Sequence, residues 1–199
     1  MPGILGIIPF MRNKKSIIRP IPYIFTALFA ALIAVSGFLV IPLPGGVPIV
    51  LKNLFVVLSG TVLGGYYGGS SVLILLIAGI LGLPVFVIPG GLGVFLTNLG
   101  GYLIGYFIGS VVAGLIVGPP GAHEAKNNWW LIVRLSLASF FGFALILVSG
   151  MVYMMFLNSI SMEAAFFAGV VPFLAADAIK LVISVPLALK LRQIAARWI

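Results

Sequence analysis

The sequence predicts an all-α membrane protein with six helices that cross the bilayer, and three observations support this fold class. Hydrophobic residues make up 62% of the chain and charged residues 7%, whereas soluble domains carry about 25% charged residues. The mean hydropathy is +1.31. A spanning helix needs about 20 apolar residues. The six candidate spans are 21–41, 49–66, 70–84, 93–117, 131–157 and 164–189.

The N-terminal end resembles a signal peptide, because four Lys and Arg residues within the first 20 positions precede an apolar stretch. The stretch 21–41 is longer than the apolar region of an ordinary signal peptide and lacks an obvious A-x-A cleavage site. We therefore expect it to be retained as the first span. The predicted division is an N-terminal basic segment 1–20, a six-helix membrane domain 21–191 and a basic C-terminal tail 192–199.

The positions of Lys and Arg predict that both termini lie in the cytoplasm. The N-terminal segment, the 118–130 loop and the C-terminal tail carry basic residues, and the loops that alternate with them carry none. Cytoplasmic loops are enriched in Lys and Arg, and an even number of spans places both termini on one side. We expect a multi-pass protein of the cell membrane, the cytoplasmic membrane of a bacterium.

Several classes of function are disfavoured by the residues that the chain contains. The net charge is +8, but the basic residues lie near the chain ends without interleaved aromatics, which argues against a nucleic-acid partner. There is no cysteine and no G-x-x-x-x-G-K-[ST] motif. His123, the single histidine, lies in a polar loop, which does not suit an intramembrane protease. We therefore predict neither an enzyme nor a bound cofactor.

Asp177 and Lys180 lie inside the last apolar stretch and are the strongest candidates for a functional site. A charge at membrane depth costs roughly 2.5–3.5 kcal/mol on insertion scales, so such residues mark functional sites by default. Residues at i and i+3 share one face of a helix and can bind the same ligand or each other. The alternative is an internal ion pair that neutralises itself. Asp177 is one of three acidic residues in the chain, and the other two lie outside the spans.

Three further polar residues are candidates for a ligand site near the outer ends of spans. Lys52 either extends its ammonium to the membrane interface or binds an anionic ligand at the mouth of a cavity. Asn98 precedes the Gly-Gly-Tyr of the fourth span, where it either caps the helix or faces a pocket. Tyr102 is a candidate for the same pocket or for the aromatic belt at the interface.

Small residues recur at helical spacing in two spans. Such stripes let two helices approach closely in lipid. In the first span, the alanine face that contains Ala27 and Ala31 either packs internally or docks another membrane subunit. In the fourth span we expect internal packing of a stripe formed by Gly101, Gly105, Gly109 and Ala113.

Taken in order along the chain, these segments resemble the BioY family, the biotin-binding S components of energy-coupling-factor (ECF) transporters. The resemblance extends from about residue 27 to residue 191. It is carried by VPIVLKNLFVVLSG, GILGLPVF, GGYLIGY and DAIKLVISVPLAL, and GGYLIGY and the D-x-x-K element are its most specific parts.

The resemblance implies the six-helix S-component bundle with a vitamin pocket that opens outward. Asp177 and Lys180 match the D-x-x-K of the family's biotin site, and Tyr102 matches the tyrosine of its GGY element. Ala27 and Ala31 match the small residues by which S components dock the transmembrane T component. Partner ATPases of the ABC type would then supply the energy, in keeping with the missing nucleotide-binding motif.

The chemistry of biotin suggests a role for each candidate. Asp177 would accept hydrogen bonds from the ureido ring, with Asn98 beside it. Lys180 would offset Asp177 or bind the ligand carboxylate, and Lys52 is the competing partner for that carboxylate. Phe86 would form an apolar wall within the Pro/Gly-rich segment that follows the third span, which we expect to act as a lid.

Two departures from the family pattern keep other interpretations open. The chain has Thr97-Asn98-Leu99 where the family commonly has Gly-Pro-Thr, and Lys52-Asn53 where many members have glutamine and threonine. The alternatives are an S component for a different vitamin, a six-span membrane enzyme, and an assembly subunit without a ligand. The sequence is also compatible with a homo-oligomer.

Overall fold

The computed structural model describes residues 20–41, 49–86, 91–121 and 129–198, and most of these residues are helical. The helices are α1 (Ile21–Ser36), α2 (Lys52–Ile80), a short 3-10 helix (Leu92–Leu96), α3 (Gly100–Val117), α4 (Trp129–Asn158), α5 (Met162–Gly169) and α6 (Val171–Trp198). Two short strands, β1 (Val40–Ile41) and β2 (Ile49–Val50), pair antiparallel with Val40 opposite Val50. By length and composition α3, α4 and α6 can each cross a membrane, as could α2 if its 29 residues formed one straight helix, and α1 is a shorter apolar helix. The predicted all-α membrane fold is confirmed.

The predicted second and third spans together form α2, which turns sharply at Gly64. This residue has φ 83° and ψ 171°, a conformation open to glycine because it lacks a Cβ. The segment 65–80 folds back against the segment 52–63, so that the Ser59 hydroxyl lies 3.4 Å from the carbonyl oxygen of Gly68. Nine residues of straight helix would separate those positions by about 13 Å. α2 is therefore two helical segments, as predicted, with the boundary at Gly64.

The predicted last span, 164–189, is divided in the structure. α5 ends at Gly169, and a new helix begins at Val171 with proline at its second position. Pro172 has no N–H with which to continue the hydrogen bonding of α5, but it is well tolerated in the first turn of α6. α6 then continues to Trp198, so the predicted tail 192–199 prolongs the helix through residue 198.

The first and fourth spans are shorter than predicted. α1 ends at Ser36, and the chain then enters β1. α3 begins at Gly100, not at residue 93, because Thr97 is extended at φ −100° and ψ 170° and interrupts the helical path. The Thr97 hydroxyl donates a hydrogen bond to the Val94 carbonyl at 2.7 Å, which stabilises this break.

The glycine stripe of the fourth span lies on the face of α3 that packs against α4. An added Cβ at Gly105 would lie 2.9 Å from the Ile146 backbone, and one at Gly109 would lie 2.7 Å from the Gly142 carbonyl oxygen. Only glycine permits this approach of the two helices. The predicted internal packing of this stripe is confirmed.

The turn at Gly64 marks one end of the bundle, which we call the Gly64 end. α1 begins there, since the Tyr23 and Tyr67 rings are 5.8 Å apart. α6 ends there as well, since the Arg192 guanidinium donates a hydrogen bond to the Thr61 carbonyl. The basic segment 1–19 and the 122–128 loop, which includes His123, lie outside the described residues.

Candidate functional site

A cavity of about 280 Å³ lies at the end of the bundle opposite the Gly64 end. It is lined by the start of α2, the first half of α3, one residue of α4 and the first part of α6, together with described residues of the connection between α2 and α3. Its wall is mostly apolar. The lining residues are Val50, Lys52, Asn53, Phe86, Val94, Leu99, Tyr102, Leu103, Tyr106, Leu147, Phe173 and Lys180. Its volume is just below the range usual for drug-sized ligands, so it suits a small molecule.

Asp177 and Lys180 form a buried ion pair on α6, in which Lys180 lines this cavity and Asp177 lies behind it, outside the group of lining residues. The Lys180 ammonium donates to Asp177 Oδ1 at 2.7 Å, and the two residues are 3% and 5% exposed. Asp177 Oδ2 is buried and has no hydrogen-bond partner among the described residues. A buried acceptor without a partner costs free energy, so this oxygen is suited to a ligand N–H donor.

Lys52, at the start of α2, lies inside the cavity and does not extend to the membrane surface. Lys52 is 4% exposed, and its ammonium donates a hydrogen bond of 2.6 Å to the Val85 carbonyl oxygen. The same ammonium lies 5.2 Å from the centre of the Phe86 ring, within the range of a cation–π interaction. Among the described residues the single ion pair is that of Lys180 with Asp177, so Lys52 brings an unneutralised positive charge to the cavity.

Phe86 is buried against the second segment of α2 and forms part of the cavity wall. A Cβ added at Gly79 would overlap the Phe86 ring, so glycine at this position leaves the space that the aromatic side chain occupies. The chain comes back to Gly79 at Gly91, whose N–H donates a hydrogen bond of 2.7 Å to the Gly79 carbonyl. Residues 87–90 of the predicted lid lie outside the described residues.

Tyr102 lines the cavity from α3 and is fixed at both its ring and its hydroxyl. The hydroxyl donates to the Gly169 carbonyl at the end of α5, at 2.6 Å. The ring packs against Phe173 with a centroid distance of 6.0 Å. Tyr102 thus belongs to the cavity wall and not to an outer aromatic belt.

Asn98 lies outside the group of residues that line the cavity. Its side chain is exposed, and its carbonyl oxygen accepts a hydrogen bond of 2.7 Å from the Asn158 amide at the end of α4. It does not cap α3 either, since that helix begins at Gly100 with Leu99 as the preceding residue. The start of α3, seven residues later than predicted, leaves Asn98 in the preceding turn.

Sequence reasoning missed several residues of the wall. Asn53 and Tyr106 both line the cavity, and the Tyr106 hydroxyl donates to Asn53 Oδ1 at 2.9 Å. This bond leaves the Asn53 amide group available as a donor. Asn53 could have been singled out as a polar residue beside Lys52 in an apolar stretch. Nothing in the sequence distinguishes Leu103 or Leu147 from other apolar residues.

Ala27 and Ala31 are both exposed on α1, whereas Ala30 between them is buried. The outer face of α1 is therefore available to another helix in the plane of the membrane. The described residues contain no group of three His, Cys, Asp or Glu that could hold a metal ion.

Comparison with known proteins decides the family. The sequence model of the BioY family matches residues 11–197. The chain belongs to the BioY family. It is 35% identical over 170 residues to the biotin transporter BioY of Thermotoga maritima, covering 84% of this chain and 93% of that protein. It is also 35% identical over 167 residues to a probable biotin transporter BioY of Pyrococcus horikoshii, covering 83% and 93%.

A solved structure supports the same conclusion at the level of the fold. The S component for biotin of an ECF-type ABC transporter superposes with a TM-score of 0.71 at 28% sequence identity. The match covers 86% of this chain and 90% of that one. The six-helix S-component fold predicted from the sequence is confirmed.

Proposed function

We infer that this chain is the biotin-binding S component of an ECF-type vitamin transporter, a multi-pass protein of the cell membrane. The observation that carries this inference beyond family membership is the small, mostly apolar cavity lined by Lys180, whose ammonium is paired with the buried Asp177. The family is one of transporters, so the chain binds and delivers its ligand without chemical change. The alternative of a membrane enzyme is excluded by the family.

The cavity and the buried Asp177 beside it would supply a separate partner for each part of biotin. Asp177 Oδ2 is available to accept a ureido N–H, and Lys180 has further N–H groups for the ureido carbonyl. The fused rings and the aliphatic chain would pack against Tyr102 and Phe86. Lys52 would bind the ligand carboxylate, because its charge has no acidic partner among the described residues.

This arrangement favours one ligand orientation and a monoanionic ligand. Lys52 and Lys180, which line the cavity, and Asp177, which is paired with Lys180, carry a net charge of +1 when all three are ionised. The carboxylate of biotin would neutralise this positive charge at Lys52, and the neutral ureido ring would bind at Asp177. Charge-assisted hydrogen bonds contribute about 1.5–3 kcal/mol each. Asn98, which is exposed and bonded to Asn158, has no part in this arrangement.

The exposed alanine face of α1 suits the T component of the transporter. Ala27 and Ala31 lie one helical turn apart on the lipid-facing side, and small side chains permit close helix packing in a membrane. ABC-type ATPases bound to the T component would then energise transport. Neither the cavity nor this face requires a homo-oligomer.

The distribution of basic residues supports an orientation with the cavity outside and both termini in the cytoplasm. Arg134 and Arg192 lie at the Gly64 end, and the basic segment 1–20 precedes the start of α1 there. Basic residues favour the cytoplasmic side. The cavity at the opposite end of the membrane domain 21–191 would accept biotin from outside.

A thermal-shift screen of the purified chain in detergent against a panel of water-soluble vitamins tests the ligand. A ligand present at 1,000 times its Kd stabilises the folded state by about 4 kcal/mol. We expect biotin alone in the panel to raise the melting temperature. A rise with a different vitamin, and none with biotin, would overturn the assignment of biotin.

A further inference from the structure

Arg192 is a buried cation that the proposed binding site does not use. It lies on α6 at the Gly64 end and is the largest of the fully buried side chains among the described residues. Its guanidinium donates to three backbone carbonyls. These belong to Thr61, Gly118 at 3.2 Å and Pro119 at 3.2 Å.

These three carbonyls belong to the ends of two other helices. Thr61 lies in the last turn of the first segment of α2, just before the turn at Gly64. Gly118 and Pro119 follow Val117, the last residue of α3. The last carbonyls of a helix lack partners within it and carry partial negative charge, so a cation is favourable there. Arg192 therefore ties α6 to two helices at once.

α6 depends on such a tie more than its neighbours do. In its apolar stretch 28% of the residues are buried, against 39% to 56% for α2, α3 and α4. Asp177 and Lys180 lie on this same continuous helix, 15 and 12 residues before Arg192, a distance of about 18–22 Å along the axis. Pro186, between the site and Arg192, removes one backbone hydrogen bond from the helix.

We propose that Arg192 is a positioning residue, which fixes the height and rotation of α6 and so places Lys180, with its partner Asp177, at the cavity. This proposal rests on the proposed function where it concerns biotin. A single step of one residue along a helix turns a side chain by about 100°, so a small error in the register of α6 would turn the ion pair away from the cavity. A guanidinium has several N–H groups in one plane and can therefore bind carbonyls on two helices at once. The ammonium of a lysine does this less well.

The test measures the position of α6 and the affinity for biotin in the same variants. The sequence contains no cysteine, so Val182→Cys on α6 and Phe156→Cys on α4, both strongly exposed, can carry spin labels. Arg192→Gln should shift the distance between the labels by about 1–2 Å or broaden its distribution. In the unlabelled chain the same substitution should weaken biotin binding about tenfold.

Arg134→Gln is the matched control. Arg134 also donates to a backbone carbonyl at the end of α3, that of Ile116 at 2.9 Å, but it lies on α4 and does not hold α6. The Arg134→Gln variant should have a lower melting temperature, with the distance between the labels and the affinity for biotin unchanged. The proposal is overturned if Arg192→Gln lowers only the melting temperature, if the helix moves with no loss of affinity, or if Arg134→Gln produces the same shift.

Arg192→Lys keeps the test decisive if Arg192→Gln does not fold. Lysine retains the charge but cannot hold both helices as the guanidinium does, so part of the distance change and part of the affinity loss should appear. Wild-type distances and affinity in Arg192→Lys would then overturn the proposal. The distance measurement needs no ligand, so it still decides the role of Arg192 if the wild-type chain does not bind biotin, a result that would defeat the proposed function separately.

Discussion

The Lys180 ammonium holds one oxygen of Asp177 at 2.7 Å and leaves the other oxygen of that carboxylate buried and unbonded among the described residues. A self-contained internal ion pair would be expected to satisfy both carboxylate oxygens, because each buried unpaired acceptor costs about 1–3 kcal/mol. The arrangement therefore favours a ligand site over an internal pair.

Asp177→Asn should weaken biotin binding by roughly 10- to 100-fold, the effect of losing a hydrogen bond to a charged group. The amide keeps the shape of the side chain, so the fold should persist. Equilibrium binding of radiolabelled biotin to the purified protein measures the change. Glu163→Gln, which removes an exposed carboxylate at the start of α5, is the control and should bind as the wild type does. Equal affinity in both variants would remove Asp177 from the site.

Lys52→Gln should weaken binding of biotin about tenfold while leaving binding of the neutral biotin methyl ester unchanged, because the lost interaction is charge-assisted. Competition against labelled biotin measures both ligands in the same preparation. Lys190→Gln removes an exposed charge from α6 and serves as the control. An equal loss for acid and ester would show that Lys52 does not bind the carboxylate.

Gly79→Ala should accelerate the dissociation of biotin about tenfold, because a methyl group at this position overlaps the Phe86 ring and displaces it from the cavity wall. A chase of bound labelled biotin with unlabelled ligand gives the rate. Gly93→Ala is the matched control, since a Cβ there meets no atom within 4 Å. A wild-type dissociation rate in Gly79→Ala would exclude Phe86 from retention of the ligand.

Ala31→Trp should abolish biotin uptake by the assembled transporter and leave biotin binding by the isolated chain intact. A large ring on the outer face of α1 prevents close packing of another helix there. Phe140→Trp, at an exposed position on α4, controls for the added bulk in the membrane. Uptake at the wild-type rate in Ala31→Trp would place the T component on a different surface.

The fold was largely predictable because its causes are local. Apolar length identified the spans, including the two that together form α2. The predicted ends of the helices were wrong where the conformation of a single residue decides them. The extended Thr97 makes α3 begin later than predicted, and Pro172 starts a new helix after α5. Such helix breaks are difficult to locate in a sequence that is apolar on both sides of them.

The site was predictable only where charge stood out against the apolar background. Asp177, Lys180 and Lys52 were visible for that reason; both lysines line the cavity, and Asp177 is paired with one of them. Asn98 was misleading because its position depended on the start of α3. Arg192 was assigned to a basic tail, since a basic residue near a chain end is usually solvated, and its three carbonyl partners depend on contacts among three helices.

Isothermal titration of the purified wild-type chain with biotin tests the central claim most directly. A cavity that satisfies the ureido ring, the apolar rings and the carboxylate together should bind one biotin per chain with a Kd in the nanomolar range, a free energy of about −12 kcal/mol. Binding weaker than about 1 μM, or no binding, would contradict the claim that this cavity is built for biotin.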